Sequence, residues 1–128
     1  MNIVDSCGWL EYFADGANAD FFAPIIEKIE YVLVPSICIL EVYKRVAQQR
    51  TEEDASLVVA YMQQAQVIPM DGSLALSAAQ LGLKHKIPLA DSIILATARA
   101  YDAIIWTQDA DFKNIAKVKY QEKPKAKK

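Results

Sequence analysis

Histidine and cysteine are scarce in this chain: 128 residues hold one His and two Cys. Cys7 and Cys38 have no CxxC-type spacing, so a Cys/His zinc site and a dithiol redox motif are both excluded. The two are expected to be reduced, buried thiols. The four glycines are scattered, with no Gly-rich phosphate loop and no nucleophile elbow. No apolar run approaches the roughly 20 residues that span a bilayer. The opening Met1-Asn2-Ile3-Val4-Asp5 lacks the basic stretch of a signal peptide. A cytoplasmic protein with no membrane partner is therefore expected.

Apolar residues make up 53% of the chain and charged residues 23%, as in a folded domain with one core. One domain is expected over residues 1–121, followed by a Lys- and Pro-rich tail, 122–128, expected to be mobile. The formal net charge of −2 does not itself suggest a nucleic-acid partner, but seven lysines fall between Lys113 and Lys128. Neutralising the acids elsewhere would leave a basic surface.

Residues 1–5 read as a buried strand. Further strands are expected at Tyr31–Val34, Gln66–Pro69 and Ala103–Thr107, with an edge strand at Val118–Tyr120. Helices are expected from Ser6 to about Phe13, from Asn18 or Asp20 to Lys28, from Ser36 to about Gln49 and from Thr51 to about Gln64. Two more run from Asp71 or Ser73 to His85 and from Leu89 to Tyr101. Ser6 and Ser36 are the expected N-caps of their helices. Strands separated by helices imply right-handed crossovers. The expected fold is a three-layer α/β/α domain around a parallel sheet of four to five strands.

Carboxylates dominate the candidate chemistry. Asp5 ends the first strand, where an unpaired charge is costly to bury. Glu41 is the only charge in the apolar turn Ile37–Tyr43. Asp91 lies in the first turn of the last helix, where the helix dipole favours an anion. Asp109 and Asp111 follow the strand ending at Thr107, and Asp109, nearer that strand, is the better ligand. Strand ends of parallel sheets are where α/β crevices form. Clustered like charges raise one another's pKa, which makes poor sense for stability and good sense around a hard cation with oxygen ligands.

These segments resemble the PIN-domain nucleases, and within them the VapC-type toxins of toxin–antitoxin pairs. The carriers are Ile3-Val4-Asp5-Ser6, Pro35-Ser36 followed by Glu41, Ala90-Asp91-Ser92-Ile93-Ile94-Leu95-Ala96-Thr97-Ala98, and Thr107-Gln108-Asp109-Ala110-Asp111-Phe112. The resemblance implies Mg²⁺ or Mn²⁺ held by Asp5, Glu41, Asp91 and Asp109, with Ser6, Thr107 and Asp111 in support. It also implies an RNA substrate, homodimerisation and a small cognate antitoxin. Glu41 is expected to bind a second metal or to orient the attacking water. Lys44, Arg45 and Arg99 are candidates for RNA phosphate contacts, each one or two turns along a helix that bears a candidate ligand. The apolar load of helices 21–29 and 53–62 suggests a dimer interface. The alternative reading is a catalytically degenerate PIN-like interaction module. A phosphatase reading is weaker, because Cys7 stands where a second Asp would be needed.

Overall fold

Five strands, all parallel, are arranged in the order β3-β2-β1-β4-β5. The computed structural model describes residues 1–124. The strands are β1 (Asn2–Val4), β2 (Val32–Pro35), β3 (Gln66–Ile68), β4 (Ile104–Thr107) and β5 (Val118–Tyr120). The helices are α1 (Ser6–Phe13), α2 (Ala19–Ile26), α3 (Ser36–Gln49), α4 (Glu52–Met62), α5 (Gly72–His85) and α6 (Leu89–Ala100). Short 3₁₀ turns lie at Ile29–Tyr31 and Ala110–Phe112. This is the three-layer parallel fold expected from the strand and helix pattern. Residues 125–128 of the expected tail lie outside the described residues.

The order of strands positions the site. From β1 the chain builds outward through β2 to β3, then crosses back to lay β4 on the other side of β1. Connections therefore diverge between the carboxyl ends of β1 and β4, the switch point where parallel α/β sheets open a crevice. Asp5 follows β1 there, and Asp109 follows β4. Val4 pairs with Trp106 across that junction, and Asp5 N–H donates to Trp106 O at 3.0 Å.

Ile3, Val4, Val32, Leu33, Val34 and Ile105 are buried on the sheet. Phe22, Ile26, Ile94, Leu95 and Phe112 cover them, each side chain contributing about 2 kcal/mol of transfer free energy. Every residue of α6 from Asp91 to Ala98 is buried. Such a helix must satisfy its hydroxyls internally, and it does: Thr97 Oγ1 donates to Ile93 O and Ser92 Oγ to Pro88 O. Gly82 lets α5 cross α6 closely, since a Cβ there would sit 2.6 Å from Ser92 Oγ.

Several local expectations change. Asp5, not Ser6, caps α1, and Ser36 is the first residue of α3, which Pro35 precedes as N-cap. Helix α2 ends at Ile26, short of the expected Lys28, and Lys28 N donates instead to Ile25 O. The following 3₁₀ turn absorbs Tyr31, so β2 begins at Val32. Phe22, Ile26, Ala55 and Met62 all face the core. Leu57 of α4 stays exposed, so part of the apolar load of these helices faces outward.

Candidate metal centre

Asp5 is fixed before any ligand arrives. It is 4% exposed, and its Oδ1 accepts from Ser6 N at 2.7 Å. Its Oδ2 accepts from Thr107 Oγ1 at 2.7 Å and from the Cys7 thiol at 3.3 Å. Thr107 Oγ1 in turn accepts from Asp109 N at 2.9 Å. One hydroxyl therefore links two acids that stand at opposite ends of the chain. Asp109 Oδ1 accepts from Asp111 N, capping the 3₁₀ turn that follows.

Asp91 completes the group from the first turn of α6. Carboxylate oxygens of Asp5, Asp91 and Asp109 lie within 4.8 Å of one another. Burial, reinforced by the charges of Asp5 and Asp109, pushes the Asp91 carboxyl up to about 8. Burial also raises Asp5, against the Thr107 and Cys7 hydrogen bonds that favour its charged form. Neither group sits comfortably ionised without a cation. The Cys7 thiol is pushed up to about 12 by burial and then by Asp5, so it stays protonated and donates.

The three carboxylates open on a cleft of about 520 Å³ that Ser6, Glu41, Lys44 and Arg45 also line. Glu41 is half-buried and accepts from Ser6 Oγ at 2.7 Å. Among the described residues it forms no ion pair with Lys44 or Arg45, and it stands outside the group of three. Asp111 is exposed and is also outside it. Arg99 is not brought to this cleft; it lines a separate cavity with Asp71, Ser77 and Tyr101. Its place in the last turn of α6, the opposite end from Asp91, accounts for this.

A metal fits these donors. The set is all oxygen and all acidic, with no His, which suits a hard divalent cation such as Mg²⁺ or Mn²⁺. The Cys7 contact was legible only as nearness in sequence. The buried pair Asn18–Gln108, joined at 2.9 Å, had no sequence signal, since it spans 90 residues.

The family model for the PIN domain matches residues 3–118. The chain belongs to the PIN domain family. Solved PIN-fold structures cover almost all of it. The sarcin–ricin loop cleaving toxin VapC20 of Mycobacterium tuberculosis superposes with a TM-score of 0.78 at 16% identity, over 92% of this chain and 97% of that one. A toxin–antitoxin complex from Klebsiella pneumoniae gives 0.76 at 20% identity, over 92% and 95%. FitAcB from Neisseria gonorrhoeae gives 0.70 at 22% identity, over 94% and 96%. No curated protein sequence matches the chain. No helix among the described residues of this PIN domain is long and apolar enough to cross a membrane.

Proposed function

We propose that this PIN domain is a metal-dependent endoribonuclease and the toxin of a type II toxin–antitoxin pair, acting in the cytoplasm. The observation that carries the reading is the convergence of Asp5, Asp91 and Asp109 at the sheet's switch point. A chain without this chemistry would not need three buried or half-buried like charges held together at a cost.

Asp5, Asp91 and Asp109 hold the Mg²⁺ or Mn²⁺. When bound, the cation supplies positive charge against the negative charge that develops on a phosphodiester as water attacks. Thr107, Cys7 and Ser6 N–H keep Asp5 oriented, and Thr107 keeps Asp109 beside it. Glu41, held by Ser6 Oγ, accepts a hydrogen bond from the attacking water and aligns it. Lys44 and Arg45, on the cleft wall, contact the RNA backbone. A single-stranded or looped RNA reaches such a recessed centre most readily.

Two partners follow. An antitoxin segment lies across the cleft and puts a basic side chain among the carboxylates, which attract a cation of either kind. A second copy docks on α5, whose stretch from Gly72 to Leu83 carries no charge and exposes Leu76 and Leu83. Depletion of charge marks interface cores.

Cleavage of a single-stranded RNA pool with Mn²⁺, compared between wild type and Asp5→Asn, tests the function. Loss of cleavage in the variant is expected. An Asp5→Asn protein that cuts at the wild-type rate removes the assignment to this centre.

A further inference from the structure

Asn18 stands at the N-cap position of α2, where an asparagine side chain ordinarily accepts from backbone N–H groups of the first turn. Here it makes no capping bond. Its Nδ2 instead donates to Gln108 Oε1 at 2.9 Å and to Glu122 O at 3.1 Å. Its backbone N–H donates to Glu11 Oε2 at 2.9 Å, which ties it to α1. Asn18 and Gln108 are only 9% and 8% exposed. A buried amide is costly unless it is bonded, and an apolar pair would fill the same space without that demand. Packing alone does not call for two amides that forgo a helix cap.

The pair holds the segment that carries two parts of the carboxylate centre. Side chains alternate between the faces of a strand. At the end of β4, Thr107 and Asp109 turn toward Asp5. Gln108, between them, turns away to Asn18 at the start of α2. Thr107 O accepts from Gln121 N at 3.0 Å, and Asp109 N donates to Thr107 Oγ1 at 2.9 Å. The side chain of Gln108 is held by the Asn18 bond. A swing of the backbone at Gln108 would carry Asp109 off the centre and turn Thr107 Oγ1 away from Asp5.

We infer that Asn18 is a positioning residue for the metal centre: its amide fixes Gln108, and through the backbone of Gln108 it sets where Thr107 and Asp109 stand beside Asp5. This rests on the metal-centre reading and deepens it. Asn18 does not line the cleft, so it acts through Gln108. Its second acceptor, Glu122 O, adds the chain after β5 to the same clamp. The start of α2, the end of β4 and the chain after β5 thus meet at one amide. Such an outer partner orients ligands before the cation arrives, and its loss typically weakens metal binding about 10–100-fold.

The test measures Mn²⁺ binding to the full chain by calorimetry, with no RNA present. Wild type is compared with Asn18→Ala, with Gln108→Met, which keeps the length and loses the amide acceptor, and with the double variant. Thr51→Ala, which removes the cap of α4, controls for lost stability alone. Each single clamp variant should bind Mn²⁺ about tenfold more weakly. The double variant should be no weaker than either, because both changes break one link. Thr51→Ala should bind as wild type does. In metal-free protein, hydrogen exchange at Asp109 N–H should speed up in Asn18→Ala, while Ala103 N–H, bonded to Ala98 O near the other end of β4, keeps its protection. Gln108→Met decides the matter if Asn18→Ala does not fold. Unchanged Mn²⁺ affinity in a folded clamp variant overturns the inference and leaves the metal centre standing. Additive losses in the double variant, or an equal loss in Thr51→Ala, overturn it too. A wild-type chain that binds no Mn²⁺ overturns both this inference and the metal-centre reading.

Discussion

Replacing Asp91 by Asn is the sharpest probe of the carboxylate centre. The native carboxyl titrates at about 8, against 3.8 for a free aspartate. Because the native pKa is the higher one, the folded state binds the extra proton between those limits. Stability from this group is complete below about 4 and is lost as pH rises through 8. Taken at about 1.4 kcal/mol per pH unit the full difference is several kcal/mol. The carboxyl faces an open cleft, however, so solvent screening reduces it to about 2 kcal/mol. In chelator, wild type should lose about 2 kcal/mol more than Asp91→Asn between about pH 5 and about pH 8.5. That is a difference of roughly 6–10 °C in melting temperature for a domain of this size. At that upper pH the variant should be the more stable protein, although it is the inactive one. Saturating Mn²⁺ should reverse the order, raising wild type by about 2.7 kcal/mol at 100 times Kd and leaving the variant nearly unmoved. Parallel pH–stability curves for the two proteins in chelator would refute the argument.

Thr107→Val keeps shape but removes the donor to Asp5 and the acceptor for Asp109 N–H. It should cost about 1–3 kcal/mol of stability and weaken Mn²⁺ binding by about 10–100-fold, read by denaturant melts and calorimetry. Glu41→Gln should abolish RNA cleavage while preserving the Mn²⁺-dependent rise in melting temperature, since Glu41 stands outside the group of three; absence of that rise would make it a direct ligand. Leu76→Lys with Leu83→Lys should leave a folded monomer in sedimentation, and a variant that still dimerises moves the interface away from α5.

Much of this protein was readable before folding. Apolar runs such as Tyr31–Val34 and Ala103–Thr107 mark buried parallel strands, because such strands are covered on both faces. Caps such as Thr51 and Asp71 mark helix starts through their side-chain bonds to Asp54 N and Leu74 N. Asp5 and Asp109 were legible as acids at strand ends, and Asp91 as an acid in the first turn of the last helix. All these signals are local, carried by periodicity and by neighbours a few residues away.

What the tertiary structure alone decided is distance. Setting β1 between β2 and β4 makes Asp5 and Asp109 neighbours, and only then can Thr107 bridge them. The crossing of α5 and α6 at Gly82 and Ser92 sets how deeply Asp91 enters. The same packing leaves Glu41, an expected ligand, one hydrogen bond back on Ser6, and carries Arg99 to another cavity although its spacing put it on the helix that bears Asp91. Spacing along a helix fixes which residues share a face, whereas which elements meet at a sheet edge depends on strand order, a property of contacts about a hundred residues apart.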